Sequence, residues 1–346
     1  MAKRDPAILY EFDGRPEYGE LMQVAPGVHW LRVPLPVVLS HINLWVLDDG
    51  DGWCILDTGM ATEEIRNIWR QVFAGQLDER PVKRVLVTHL HPDHVGLAGW
   101  LARRFDVELW MTRTEFLLCR NLVADTGRTA PEAGVGFYRA AGYTEPQLAR
   151  YIDRFGEFGK GISPLPDAYR RLRDGDAVQL GPHQWRVIVG RGHSPEHACL
   201  FCEELNTMFS GDQILPTISS NVSVHPTEPA ADPLGDWLES CRALQRELPE
   251  DVLVLPAHGR PFRGAHARLK KLIDEHESGL AAVRDLCAAE PRRAIDLFEA
   301  LFRGSITDSN LIMAAGESIA HLNYLAARGE LTISTDDAGV KWYQAA

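Results

Sequence analysis

Long apolar runs are missing from this chain. No uncharged apolar stretch approaches about 18 residues, so no transmembrane helix is expected. The start, Met1-Ala2-Lys3-Arg4-Asp5-Pro6, has no apolar core, so no secretory signal is expected. Cysteine is scarce, with six residues at 54, 119, 199, 202, 241 and 287, too few for a disulfide framework. Cys199 and Cys202 form one CxxC, but it lies in the strand-like run Ala198–Cys202. A separation of three on a strand sends the thiols to opposite faces, so they read as reduced packing residues in a cytoplasmic protein. Positive charge is in deficit. The formal net charge is −12, which argues against nonspecific polyanion binding. Phosphate-loop and dinucleotide glycine signatures are absent, and neither Ser194 nor Ser210 sits in a GxSxG elbow. No internal repeat or low-complexity segment occurs.

What remains is an ordinary globular composition, 45% hydrophobic and 24% charged over 346 residues. That length suggests about two domains. The first half alternates strand-like and helix-like stretches. Strands are expected at Gly27–Val33, His41–Leu47, Trp53–Leu56, Val82–Val87 and Val107–Met111. A helix is expected from an N-cap at Thr62 to Phe73, with Ile65, Ile68, Trp69 and Val72 on one face, and another at Val95–Arg104. Residues 113–168 break the rhythm with a helical, aromatic-rich stretch. They read as an insertion, either a cap with its own small core or a lid over a site. Strands resume at Ala177–Leu180, Gln184–Val189, Ala198–Cys202, Thr207–Phe209 and Val252–Leu255, with a helix at Asp236–Glu247. Beyond 262, helices at about 264–289, 293–302 and 308–328 precede a hairpin, Leu331–Ser334 and Val340–Tyr343. The expected division is therefore a catalytic domain, 1–262, and a winged-helix-like domain, 263–346.

Histidine carries the chemistry. Thr88-His89-Leu90-His91-Pro92-Asp93-His94 packs four metal-capable side chains behind the apolar end Val85-Leu86-Val87. In an extended loop, His89, His91 and Asp93 would share one side and His94 would point elsewhere. Three later segments place a ligand type just past a strand: Gly192-His193-Ser194-Pro195-Glu196-His197, Ser210-Gly211-Asp212 and Pro256-Ala257-His258-Gly259. Together they offer His89, His91 and His193 to one metal and Asp93, His94 and His258 to a second, with Asp212 bridging. Such a mixed N/O shell with an open position suits a catalytic ion. His197, four residues after His193, reads as an orienting or structural residue. His41, Asn43 and His225 are candidate substrate contacts, loop packing being the alternative for His225. His29, His183, His266, His276 and His321 have no supporting pattern and are expected on surfaces.

The ordered set THLHPDH, GHSPEH, SGDQI and PAHG resembles the metallo-β-lactamase-fold hydrolases over about residues 24–262. Leu56-Asp57-Thr58-Gly59 matches that family's early motif, in which the Asp supports the metal loop without binding metal itself. The stretches His41–Leu47 and Asp232–Leu238 and the C-terminal module look like the lactamase-beta-2-like branch. The implied fold is α+β, a four-layer αβ/βα sandwich with the metals at one edge, a helical insertion and a C-terminal winged helix. Asp212 resembles the bridging Asp of glyoxalase II-like and RNase Z-like members, which true class B β-lactamases lack, so antibiotic hydrolysis does not lead. Glu196 departs from the pattern, where related chains often carry Gly.

This ligand set predicts a hydrolase with two divalent ions, zinc first and manganese or iron as alternatives, sharing a hydroxide. Asp93 and Asp212 are the catalytic candidates, Asp93 doubling as ligand and proton acceptor. The leading substrate class is a small thioester, ester or lactone. The alternative is a single-strand endoribonuclease, and a non-enzymatic metal-binding protein is the third reading. Residues 279–346 carry six Lys/Arg against nine Asp/Glu, whereas a nucleic-acid-reading wing is usually basic. No membrane partner is expected, and a homodimer is plausible on base rate. Arg70, Arg80, Lys83, Arg84, Arg103, Arg104, Arg170, Arg171 and Arg173 are the cations that would have to converge for RNA.

Overall fold

The computed structural model describes residues 7–36 and 39–346. The expectation about Met1–Pro6 lies outside them. Two sheets stand face to face. One runs in the order β2 (Leu21–Ala25), β3 (Val28–Pro34), β4 (His41–Asp48), β5 (Trp53–Leu56), β6 (Val82–Leu86), β7 (Leu109–Thr112), β8 (Arg170–Leu172). The other runs β1 (Leu9–Tyr10), β14 (Phe262–Arg263), β13 (Leu253–Pro256), β12 (Thr207–Gly211), β11 (His197–Cys202), β10 (His183–Gly190), β9 (Ala177–Leu180). Helices α1 (Glu63–Gly75), α2 (Pro92–Val95), α3 (Ala98–Phe105) and α4 (Arg113–Ala124) follow strands of the first sheet. The insertion continues with α5 (Glu132–Ala140) and α6 (Glu145–Arg154). Helix α7 (Pro233–Glu247) precedes β13, and α8 (Ala265–Ala289), α9 (Phe298–Leu301) and α10 (Leu311–Ala327) lead to the hairpin β15 (Leu331–Thr335)–β16 (Lys341–Ala345).

Side-chain alternation builds the layers. Along β4, Ile42, Leu44 and Val46 face the helices α1 and α3, while Trp45 and Leu47 face the second sheet. Both faces are covered, which is why the strand reads as continuously apolar. Helix α1 inserts Ile65, Trp69 and Val72, and Thr62 caps it by accepting from Ile65 N–H. That cap contributes about 1 kcal/mol. Each of the three buried side chains contributes about 1.5–3 kcal/mol. Strand β11 sends Cys199 toward the helices on its outer face and Cys202 into the space between the sheets. The two thiols cannot share a metal.

Sequence and structure part in several places. Strands β1, β2, β8 and β14 were not expected; β1 and β14 are two residues long, and β8 is Arg-Arg-Leu, too short and too charged to show a period of two. The expected helix Val95–Arg104 divides into α2 and α3 at Gly96-Leu97. The insertion has no core of its own. Phe116 and Cys119 of α4 join the core under the first sheet, while Tyr138, Tyr143, Leu148 and Tyr151 join the core shared by α7, α8 and α10. His276 and His321, expected on the surface, are buried between α8 and α10, 5% and 2% exposed, with rings 5.6 Å apart. Helix–helix packing draws them in, and no local pattern signals it. Among the described residues no helix is long and apolar enough to cross a membrane.

Candidate metal centre

All five loops that carry ligand types open at one edge of the sandwich. The reason is strand direction. Strand β5 pairs parallel with β6, and β12 pairs parallel with β13, so the loops after these four strands emerge at the same end. The turn between β10 and β11 reaches it from the antiparallel side, where Gly190 faces His197. Hydrogen bonds sew the loops together: Ala198 N–H to Thr88 C=O, Ala257 N–H to Gly211 C=O, and Asn43 N–H to Ala257 C=O. Gly192, at φ +102°, has no room for a Cβ, which would fall 2.5 Å from Trp237 Cβ. Glycine is therefore required for the loop of His193.

Two groups of ligand atoms result. His89, His91, His193 and Asp212 form one, and Asp93, His94 and His258 the other; within each, the atoms lie within 4.8 Å of one another. Asp93 joins His94 rather than His89 and His91, which corrects the period-two reading. The chain turns helical at Pro92, so extended geometry ends there. Asp212 stands between the groups. Its Oδ2 is 3.3 Å from His193 Nε2, 3.5 Å from His94 Nε2 and 4.0 Å from His89 Nε2, and its Oδ1 is 3.5 Å from His258 Nε2. Asp93 Oδ2 lies 3.4 Å from His258 Nε2.

Three of the imidazoles are turned by a bond on the far nitrogen. Asp57 Oδ2 lies 2.8 Å from His94 Nδ1, Asn221 C=O is 2.8 Å from His193 Nδ1, and His41 C=O is 2.9 Å from His258 Nδ1. These acceptors place the proton on Nδ1 and leave Nε2 to face the centre. Asp57 adopts φ +60°, a left-handed conformation that Asp tolerates. Its carboxylate also accepts from Thr88 N–H and Thr88 O–H, each at 2.8 Å. The chemistry of the donors fits divalent ions. His94 Nε2, His193 Nε2, His258 Nε2 and Asp212 Oδ1 are buried without a hydrogen-bond partner in the protein, a costly state that a bound cation relieves.

Charge in the metal-free site follows from burial and neighbours. Burial and the adjacent His94 and His91 hold His89 well below the usual histidine value. Burial and His193 bring His91 down to about 3. Burial works against charge on His94 too, yet Asp57, Asp212 and Asp93 raise it well above the ordinary value. Burial alone would raise the Asp93 carboxyl, but the neighbouring His94 and His258 imidazoles bring it to about 2.

The remaining expected residues divide. His197 stays outside both groups; its Nε2 accepts from Asp212 N–H at 3.1 Å, and its ring stacks on His89 at 4.7 Å. Asn43 does not line a mouth. It is fully buried, accepts from Trp30 Nε1–H and donates to Pro256 C=O and Gly259 C=O, so its amide is committed to holding the His258 loop. His41 is half-buried, and its ring lies 3.4 Å from Gly259 N while its carbonyl serves His258. His225 is exposed. Glu196 points away from the ligand groups, accepting from Thr114 N–H at 2.6 Å in the first turn of α4. Sequence reading missed Glu115. Its buried carboxylate accepts from Leu90 N–H at 2.9 Å and Glu196 N–H at 2.7 Å, clamping two ligand loops together. Its position just after β7, at the same sheet edge, was the available signal.

The cations do not form one path. Lys83, Arg84, Arg170, Arg171 and Arg173 line a groove of about 780 Å³ at the β8–β9 side, and none of the seven ligand-type residues lines it. Arg70 and Arg104 gather instead at Trp100.

The sandwich with a His/Asp cluster suited to metal ions at the ends of its strands defines a class, and comparison places the chain in it. A model of the metallo-beta-lactamase superfamily matches residues 37–258, and one of the metallo-beta-lactamase-like, C-terminal domain matches residues 280–346. The chain belongs to the metallo-beta-lactamase superfamily, and with its two ligand groups it is a hydrolase of that superfamily. The crystal structure of a beta-lactamase domain protein from Burkholderia ambifaria is 42% identical, covers 98% of each chain and superposes with a TM-score of 0.90. A probable metallo-hydrolase of Bacillus subtilis is 26% identical over 87% of this chain and 93% of its own. An atrochrysone carboxyl ACP thioesterase of Aspergillus fumigatus is 26% identical over 67% of this chain, but that match spans 40% of the fungal protein.

Proposed function

We propose that this hydrolase is binuclear, holds zinc, and cleaves a small thioester, ester or lactone. The observation that carries the reading is the Asp212 carboxylate set between two three-residue groups. His89, His91 and His193 would hold one ion, Asp93, His94 and His258 the other, and Asp212 both. When bound, the pair supplies Lewis acidity and a water acidified toward a pKa of about 7. Asp93 is the more exposed of the two carboxylates, 20% against 10% for Asp212, and is placed to take a proton on the open side. Asp57, Asn221 and His41 keep three imidazoles aimed inward through Nδ1.

The acyl class draws on the thioesterase named among the relatives. A mostly apolar groove of about 280 Å³ lies apart from the seven ligand-type residues, none of which lines it. Phe137 of α5, Ala141 just after it, Ile319 of α10 and Tyr343 of β16 line it, with Pro226 next to His225. We read the C-terminal helices and hairpin as a winged-helix unit. The acidic C-terminal unit and the separation of the basic groove from the ligands both weigh against RNA. A panel of acyl thioesters, esters, lactones and fluorescent RNA, assayed with zinc, manganese and iron, tests the reading. Chelator-sensitive RNA cleavage that is lost in Asp212→Ala would overturn the substrate class. Clearly fewer than two metals per chain after reconstitution would overturn the binuclear centre.

A further inference from the structure

The segment from Gln213 to Asp232 joins the Asp212 loop to α7 with no strand or helix of its own. A structureless connection of that length inside a packed core needs an external hold. The C-terminal unit provides it at close intervals. Arg268 of α8, 2% exposed, donates to Leu215 C=O at 2.6 Å and Ile218 C=O at 2.7 Å. Ser219 Oγ lies 3.3 Å from His276 Nε2. Val224 N–H donates to Gly316 C=O of α10, and Asn323 donates to Ala231 C=O. At Gly316 a Cβ would fall 2.6 Å from Ser223 Oγ, so α10 lies directly on the segment.

One of these ties leads to the metal centre. The carbonyl of Asn221 accepts from His193 Nδ1, the bond that turns His193 Nε2 inward. The side chain of the same residue donates to Glu317 Oε2 at 2.8 Å. Its other contacts are a 3.3 Å bond to Met313 C=O and a 2.6 Å bond accepted from Ser223 O–H. Glu317 therefore supplies a side-chain hold on the residue whose carbonyl aims a ligand. We propose that Glu317 of α10 is a positioning residue of the metal centre, acting through Asn221 on His193. The C-terminal unit would then complete the centre without touching an ion.

This inference rests on the metal assignment proposed above, and the experiment separates the two. Zinc affinity is measured by chelator competition on the full chain, for wild type, Glu317→Ala, Glu317→Gln, Asn221→Ala and Glu317→Ala/Asn221→Ala, with thermal unfolding as the fold control. Losing such an orienting contact weakens metal affinity about 10–100-fold. We expect that loss for Glu317→Ala and for Asn221→Ala, with the double variant no worse than either, because the two act in series. Glu317→Gln keeps an acceptor for the Asn221 amide and should stay within about 3-fold of wild type. Turnover in Glu317→Ala should recover at saturating zinc, which a general folding defect would not allow. Wild type that binds two ions while Glu317→Ala binds them equally well overturns this inference alone. Additive losses, or a Gln variant as weak as Ala, overturn it as well. Wild type that binds no zinc overturns the metal assignment and this inference together.

Discussion

The Asp57 carboxylate is the point at which the centre can be perturbed without touching a ligand. It is 1% exposed and accepts three bonds, from Thr88 N–H, Thr88 O–H and His94 Nδ1–H, all at 2.8 Å. Hydrogen bonds to a charged acceptor contribute about 1.5–3 kcal/mol each. At the low end Asp57→Ala loses about 4–5 kcal/mol, a large part of the roughly 5–15 kcal/mol that holds a domain together. Unfolding should fall by roughly 10 °C. Asp57→Asn is the sharper test. Its single amide oxygen serves Thr88 N–H, whose acceptor in the structure is Asp57 Oδ1. The amide N–H₂ then faces His94 Nδ1, and the histidine proton must move to Nε2, the atom that points at Asp93 and Asp212. Stability should drop by only about 1–2 kcal/mol, while zinc affinity of the second group falls about 10–100-fold. Calorimetric unfolding with chelator-competition titration reads both numbers. An Asn variant that binds two zinc ions with wild-type affinity would refute the tautomer argument.

Three further outcomes follow from the same geometry. Asp212→Ala should remain folded and lose turnover, with metal content by atomic emission falling below two per chain; retained turnover would remove Asp212 from its bridging place. Glu115→Ala should loosen the His91 and Glu196 loops together, since Leu90 N–H and Glu196 N–H both lose their acceptor, costing about 2–4 kcal/mol by urea titration. His276 is buried, and burial with the neighbouring His321 holds it down to about 3, below its unfolded value near 6.5. The unfolded chain therefore binds the extra proton first, and stability is lost as pH falls below about 6.5 toward 3. At pH 5 that loss is about 2 kcal/mol, and His276→Gln should be less acid-sensitive than wild type by that amount.

What could be read from the chain tracks how local each feature is. The cluster from Thr88 to His94 is visible because four ligand types fall within six residues after an apolar strand end. The two-group division is less local: it depends on a helix beginning at Pro92, which rotates Asp93 toward His94 and His258. Asn43 misled because a polar residue in an apolar strand looks like a site residue. Its amide instead meets two carbonyls more than 200 residues away and the Trp30 indole. Glu115 lay in a stretch read as an insertion, although its helix begins where β7 ends. His276 and His321 look surface-like because burial comes from α8 meeting α10, a contact no periodicity within either helix announces.

The acidity of the chain acquires a local meaning at this edge. Asp57, Asp93 and Asp212 lie among buried imidazoles, and in the metal-free protein the carboxylates raise His94 and His258 above the ordinary histidine value despite burial. A divalent ion at the same place competes with protons for Nε2, so binding releases them and weakens as pH falls. The ordering of the residues around the ions is therefore largely prepaid. Nδ1 of three histidines is already committed to Asp57, Asn221 and His41, and only Nε2 is left to exchange a proton for a metal. Two of those acceptors are backbone carbonyls, Asn221 in the connection before α7 and His41 at the start of β4, and a backbone carbonyl is aimed only as well as its segment is held. They need neighbours: Asn43 and the β4 strand for the His258 side, Glu317 and α10 for the His193 side. This places the cost of precision in the packing of distant segments, and it explains why a fold with its ligands on one edge recruits a helix from the end of the chain to hold one of them.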